Sequence, residues 1–271
     1  MPLRSRVVIV TGGGRGIGRA MALALAEAGA RLIVSAAREQ AEIEAVAEEA
    51  ARRFGERRIV SLVADVTRED DCMRLVEAAF DRFGRLDVLV NNAGRGMKYV
   101  SDTFWTVPTR FWTVAPETWR TVIETNVVGP FLMARAAAPA MIEAGWGRIV
   151  NISMNRETMR RRGFSPYGPS KAALESETII WAQDLAGTGV TVNALLPGGA
   201  TATGMIPHGV SPELRATLLD PAIMAAPIVW LASERSDGVT GRRFIAARWR
   251  ADLPEAEAAE AAAEEAGWTT G

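Results

Sequence analysis

The chain of 271 residues holds one cysteine, Cys72, and one histidine, His208. A lone cysteine excludes an internal disulfide and a cysteine-based zinc site. A lone histidine excludes any site that needs two imidazoles and argues against a Ser-His-Asp triad. No metal site is expected, and His208, in the segment Gly204–Leu219 read as a lid, is taken as incidental. No apolar run approaches the ~18–20 residues of a membrane span. The opening residues are not expected to act as a secretory signal: Arg4 and Arg6 lead into only four apolar residues, Val7–Val10, before glycines follow. A soluble cytoplasmic protein is the expectation. Excess positive charge is also lacking, with 31 basic against 32 acidic residues and a formal net charge of −1. That balance argues against a protein whose main work is gripping nucleic acid or an anionic membrane. Lysine and tyrosine are scarce: Lys98 and Lys171, Tyr99 and Tyr167. Where arginine supplies nearly every generic positive charge, a lysine marks a place where a guanidinium would not serve.

Hydrophobic side chains make up 48% of the sequence, ample for a large core. Short β-branched runs alternate with helical patterns. Strands are expected at Arg6–Thr11, Arg31–Ala36, Arg58–Ala64, Leu86–Val90, Gly147–Ser153 and Gly189–Leu195, with a shorter seventh at Arg242–Ala247. Helices are expected between them, including Gly16–Ala28, Pro166–Ala186 and a long Pro116–Ala144 bent or interrupted at Pro130 and Pro139. The pattern predicts an α/β fold, one parallel sheet of six or seven strands with helices on both faces. Residues 1–250 read as one dinucleotide-binding domain. Residues 251–271 read as an acidic Ala/Glu helical tail, either solvated or reaching a neighbouring subunit.

Thr11–Gly18 (TGGGRGIG) follows the first strand and opens the first helix. Glycines admit a pyrophosphate close to the backbone, and a helix N-terminus offers free N–H groups and a positive dipole end. The spacing is T-G-x-x-x-G-x-G, and no Lys-Ser/Thr follows, which excludes a Walker A loop. Dinucleotide folds place an acidic residue about 20 residues on to hold the adenosine ribose. Here the second strand ends in Ser35-Ala36-Ala37-Arg38. Arg38, helped by Arg15, suits a 2′-phosphate, so NADP is favoured over NAD, which stays open.

Tyr167 and Lys171 are four apart in a helical segment, on one face and one turn apart. A phenol, of pKa about 10, is a poor base at neutral pH, and an adjacent ammonium is expected to lower that value. Such a tyrosine can exchange a proton with an alcohol or carbonyl while hydride moves to or from a nicotinamide. Together Gly12–Gly18, Asn91-Asn92-Ala93-Gly94, Asn126, Tyr167-x-x-x-Lys171 and Asn193 with Pro197-Gly198 resemble the short-chain dehydrogenase/reductase family over about residues 6–245. The resemblance implies a single Rossmann-type doubly wound parallel sheet of about seven strands, and an NAD(P)-dependent oxidoreductase acting on CH–OH and C=O groups of a small molecule, built as a homotetramer or homodimer. It implies Tyr167 as general acid/base, Lys171 on the nicotinamide ribose, and Asn126 anchoring a water. It implies cofactor contacts from Gly12, Arg15, Gly16, Ile17, Gly18, Arg38, Asp65, Val66, Asn92, Ala93, Gly94, Pro197 and Gly198, with Thr201 or Thr203.

The sequence departs from the family in one chemical position. The residue thirteen before the tyrosine, ordinarily a hydroxyl that polarises the substrate carbonyl, is Met154, which cannot donate that bond. Ser153 is the expected stand-in; Asn155, or no substitute, are the alternatives. The segment Met97–Trp112 carries Met97, Tyr99, Phe104, Trp105, Phe111 and Trp112, which suit either an aromatic or apolar substrate or a subunit interface. Arg156 and Arg160–Arg162 either attract an anionic substrate or stand in solvent. A catalytically weak or inactive dinucleotide-binding sensor is the competing reading, kept alive by Met154; a dehydratase or enoyl reductase is a third.

Overall fold

The computed structural model describes residues 2–55 and 57–267. Its elements run β1 (Val7–Thr11), α1 (Gly16–Glu27), β2 (Arg31–Ala36), α2 (Gln40–Phe54), β3 (Ile59–Val63), α3 (Glu69–Phe83) and β4 (Val88–Asn91). They continue with α4 (Pro116–Ile123), α5 (Gly129–Glu143), β5 (Gly147–Ile152), α6 (Arg156–Met159), α7 (Tyr167–Asp184) and β6 (Val190–Leu196). The chain closes with α8 (Pro212–Ala216), α9 (Ala225–Leu231), β7 (Arg242–Ile245), α10 (Glu255–Ala262) and β8 (Ala263–Glu265).

The strands form one sheet in the order β3-β2-β1-β4-β5-β6-β7-β8. Every neighbouring pair is parallel except β7 with β8. Five of five residues of β1 are buried, as befits a strand covered on both faces. Alternate side chains feed two cores: Val8, Val10, Leu32 and Val34 on one face, and Val7, Ile9, Ile33 and Leu89 on the other. The order reverses direction between β1 and β4, and the crevice beyond the strand ends there is where such sheets place ligands. No helix among the described residues is long and apolar enough to cross a membrane.

Two details differ from expectation. The long helix predicted over Pro116–Ala144 is broken not at Pro139, which sits inside α5, but by a π turn over Glu124–Val128 that contains Asn126. Pro130 supplies a reason: it has no N–H, so the ordinary i+4 bond to the Asn126 carbonyl cannot form. The tail is the second. Its helix ends at Ala262, with Ala258, Ala259 and Ala262 buried, and the chain then turns into β8, an eighth strand pairing Phe244 with Ala263 and Arg243 with Glu264. Small alanines let the helix pack closely, and the unpaired edge of β7 offers the main-chain bonds that the turn into β8 takes up.

Candidate active site

The turn from β1 into α1 is shaped by steric need. A Cβ on Gly18 would lie 2.2 Å from the Gly12 carbonyl oxygen and 2.4 Å from Asn92 Nδ2. Asn92 Nδ2 donates to the carbonyls of Thr11 and Gly12, at 2.8 Å each, and so ties the loop to the end of β4. The Thr11 hydroxyl accepts from the Asn92 and Ala93 N–H groups. Gly16 has φ +52°, and a Cβ there would meet Thr203 Cγ2 at 3.0 Å, so the segment after β6 is laid directly over the loop. No side chain caps α1, and its first turn holds no acid. The helix N-terminus therefore faces its crevice with N–H groups that no side chain of the cap has claimed.

A cavity of about 800 Å³ runs from this loop to α7. Its wall includes Gly12, Arg15, Gly16, Ile17, Gly18, Arg38, Asp65, Val66, Asn92, Ala93, Gly94, Ser153, Tyr167, Lys171, Pro197, Gly198, Thr201 and Thr203. Among the residues expected at the site, Asn126 alone is off the wall. It is fully buried, its Oδ1 accepting from the Arg95 N–H at 2.8 Å and its Nδ2 donating to the Arg95 carbonyl and to Ser170 Oγ, at 3.0 Å each.

These features fit a dinucleotide on three physical grounds. The glycine turn has no room for side chains, the N-terminus of α1 is uncapped, and Ser35 Oγ is a buried hydroxyl on the cavity wall with no partner in the protein. Arg15 pairs with Glu42 at 3.3 Å. Arg38, two residues beyond β2, is exposed and lines the cavity. Asp65 Oδ1 accepts from the N–H and hydroxyl of Thr67, which steadies the carboxylate after β3.

At the other end, Lys171 Nζ donates to the Ile152 carbonyl at 2.7 Å. Burial pulls the lysine down to about 8, against the opposing pull of Glu175 one turn further along α7. Burial pushes the Tyr167 phenol up to about 12. This reverses the expected lowering by Lys171. Loss of solvation is the cause, and the Lys171 ammonium donates to the Ile152 carbonyl of β5. The resting tyrosine is therefore a protonated donor.

Of the two candidate donors for carbonyl polarisation, Ser153 is fully engaged and Asn155 is engaged through one of its two N–H groups. Ser153, the expected stand-in, gives its single hydrogen to Glu175 Oε1 at 2.6 Å. Asn155 Nδ2 donates to the Gly198 carbonyl at 3.0 Å. Met154 offers no donor, and its carbonyl accepts from Arg243 Nη2 at 2.8 Å. Arg243 is 2% exposed and also meets Glu175 at 3.1 Å and Glu264 of β8 at 3.1 Å. Glu175 in turn accepts from the Gly267 N–H. Sequence reading missed Glu175 and Arg243. Extending the Tyr167/Lys171 spacing by another four residues reaches Glu175, but nothing local marks Arg243, 68 residues away from it.

The aromatic segment divides. Met97, Tyr99, Phe104 and Trp105 line the cavity, joined by Phe164. Phe104 meets Trp105 and Phe164 edge-on, at 5.6 and 6.0 Å between ring centres. Phe111 and Trp112 pack on each other outside it, 70% and 67% exposed. Of the arginines before α7, Arg161 lines the cavity, whereas Arg156 turns to the tail and binds Glu264 and the Glu265 carbonyl.

Comparison with known proteins agrees with this architecture. The profile of the short chain dehydrogenase family matches residues 6–211. A 3-oxoacyl-[acyl-carrier-protein] reductase of Synechocystis is 35% identical over 248 residues, covering 89% of this chain and 95% of its own. An NADPH-dependent aldehyde reductase-like chloroplastic protein of Arabidopsis thaliana is 35% identical, over 79% of each chain. The crystal structure of 3-ketoacyl-(acyl-carrier-protein) reductase from Brucella melitensis, complexed with NADH, superposes with a TM-score of 0.75 at 30% identity, covering 88% of this chain and 94% of that one. The glycine turn, the Asn-Asn-Ala-Gly strand end and the Tyr-Lys helix thus stand in a chain that belongs to the short-chain dehydrogenase/reductase family of NAD(P)-dependent oxidoreductases.

Proposed function

We propose that this protein reduces a carbonyl group on a small molecule with NADPH, and oxidises the matching alcohol in reverse, with Tyr167 as the proton donor and acceptor. One observation carries the reading: the Tyr167 phenol, kept protonated by burial, lines the same cavity as the glycine turn and as Lys171. A nicotinamide held in this cavity would supply or take the hydride. Gly12–Gly18, Ile17 included, receive the pyrophosphate, Asp65 and Val66 the adenine, Asn92–Gly94 its ribose, and Pro197, Gly198, Thr201 and Thr203 flank the nicotinamide half. Lys171, with one N–H on Ile152, keeps two for the nicotinamide ribose. As the substrate carbon accepts hydride, its oxygen takes the phenol proton. The phenolate left behind is stabilised by the Lys171 ammonium, and this is the stage at which that charge acts. Asn126 braces the strand end at Arg95 and the helix at Ser170, and we assign it to the relay that returns the proton.

Preference for NADP rests on Arg38, whose guanidinium no carboxylate of the described residues claims, at the position where a 2′-phosphate would stand. The NADPH-dependent plant relative supports it. The NADH complex of the Brucella reductase shows that the scaffold also accepts the other dinucleotide.

A second reading is favoured by a specific observation. With Met154 in place of a hydroxyl, the Ser153 hydrogen given to Glu175 and one Asn155 N–H given to Gly198, polarisation rests on Tyr167 and the second Asn155 N–H, and a missing donor of this kind costs about 10²–10³ in rate. A dinucleotide-binding sensor would tolerate this. Incubation with NADPH and a panel of aldehydes and ketones separates the two. Turnover that Tyr167→Phe abolishes supports the reductase; tight NADPH binding without turnover supports the sensor. We also read residues 1–250 as the catalytic unit and the protein as a cytoplasmic homo-oligomer. Trp119 of α4 and Phe131 of α5, 40% and 45% exposed, support a homodimer or homotetramer.

A further inference from the structure

We propose that Arg95 recognises a carboxylate on the substrate, and that the substrate is an aromatic carbonyl compound carrying one. The inference rests on the reductase reading of the same cavity and names its substrate class. Arg95 follows directly on the Asn-Asn-Ala-Gly end of β4. Both its backbone groups are held by the Asn126 side chain, at 2.8 and 3.0 Å, so its Cα is fixed beside the proposed relay. Its side chain lines the cavity, with the guanidinium carbon 4.4 Å from the centre of the Tyr99 ring. Nε is buried and has no hydrogen-bond partner.

The Nε atoms of Arg148 and Arg156 are likewise buried without a partner, but those guanidinium groups meet carboxylates through their terminal nitrogens, Arg148 with Asp237 and Arg156 with Glu264, as Arg6 meets Asp87 and Glu234 and Arg243 meets Glu175 and Glu264; among the described residues no carboxylate pairs with Arg95. A guanidinium drawn out of bulk water without an acceptor is costly, and a planar carboxylate meets its fork of donors in a bidentate way. The cofactor does not account for it. The proposed phosphate-binding features stand at the N-terminus of α1, after β1, and beyond the end of β2, whereas Arg95 comes four residues after Asn91, the last residue of β4, with its backbone held by Asn126, which also bonds Ser170 of α7.

The surroundings agree. In the half of the cavity built from β4, β5, α7 and the segments beside them, the charged lining is Arg95, Lys98, Arg161 and Lys171 against Asp102 alone. A positive field in a low-dielectric cleft concentrates anions. The same half holds Phe104 edge-on to both Trp105 and Phe164, a setting for a flat ring.

The test uses a matched pair: 4-carboxybenzaldehyde, and its methyl ester, which keeps the ring and the aldehyde but not the charge. With NADPH, the wild-type protein is expected to favour the carboxylate at least tenfold in kcat/KM, through KM. In Arg95→Met that ratio should collapse towards one, with Arg95→Lys between the two. A wild-type ratio of one or below overturns the proposal, as does a ratio that Arg95→Met leaves in place. Calorimetric titration of both compounds without NADPH gives a readout independent of turnover. Tighter binding of the carboxylate, lost in Arg95→Met, supports the anion site even if neither aldehyde is reduced, in which case only the reductase reading fails. Equal binding of acid and ester overturns the anion site itself.

Discussion

Ser153 Oγ donates to Glu175 Oε1 at 2.6 Å, joining the end of β5 to the helix that carries Tyr167 and Lys171. Glu175 is 1% exposed, and it shares its charge with Arg243, which also grips the Met154 carbonyl and Glu264 of the terminal strand. The hydroxyl nearest to a catalytic serine thus works as a brace within a buried ionic cluster. Such a cluster is stabilising only while every member is paired, and removing one partner strands a buried charge.

Met154→Ser is expected to raise kcat for carbonyl reduction by about tenfold or more, because it restores a donor where oxyanion-type bonds carry ~10²–10³ in rate. The bond from Arg243 is to the Met154 backbone and survives the change. Steady-state kinetics on the best aldehyde of a panel checks this; a fall in kcat would mean that the methionine shapes the chamber.

Tyr167→Phe should lower turnover by at least about 10²-fold, the lower range for a lost general acid, with NADPH affinity held within a few-fold. Fluorescence titration of NADPH alongside the activity assay separates the two effects. Retained turnover would remove the phenol from the mechanism.

Arg38→Ala is expected to weaken NADPH about tenfold or more, roughly the loss of one charge-assisted bond to phosphate, while NADH changes little. Dissociation constants for both dinucleotides decide it. Equal losses would rule out a 2′-phosphate at Arg38.

The rate of reduction should fall as pH rises through about 8, where Lys171 loses the proton that stabilises a phenolate. The charge of Glu175 holds that lysine up, so Glu175→Gln should move the limb to lower pH. A kcat–pH profile of both proteins measures the shift. A limb that stays in place would disconnect Glu175 from Lys171.

Glu177 on α7 is pushed up by burial to about 7, and one of its oxygens has no partner. Its folded-state value lies above the usual carboxylate value, so its contribution to stability is full at low pH and is lost as pH rises through about 7. Glu177→Gln should therefore raise Tm at pH 8 by roughly 2–4 °C, about 1 kcal/mol, and by less at pH 5. Thermal melts at both pH values test this, and an equal shift at the two would refute a titrating origin.

Much of the molecule was legible in the order of residues. The alternation of β-branched runs and helical stretches carries the parallel sheet, since strands buried on both faces must be apolar throughout. The glycine turn and the Tyr167/Lys171 spacing are local patterns, readable because a strand-to-helix turn and one helical turn are set within a few residues. The eighth strand was not legible: Ala263–Glu265 has no strand signature, and its pairing comes from the open edge of β7.

Sequence alone therefore determined the fold class, the glycine turn and the Tyr167/Lys171 pair on one helix face, because each depends on neighbours in the chain. Only the tertiary structure decided which way the phenol is shifted, where the Ser153 hydrogen goes and that the buried Nε of Arg95 has no hydrogen-bond partner. Desolvation and ion pairing depend on groups brought together across long separations, as Arg243 is brought to Glu175.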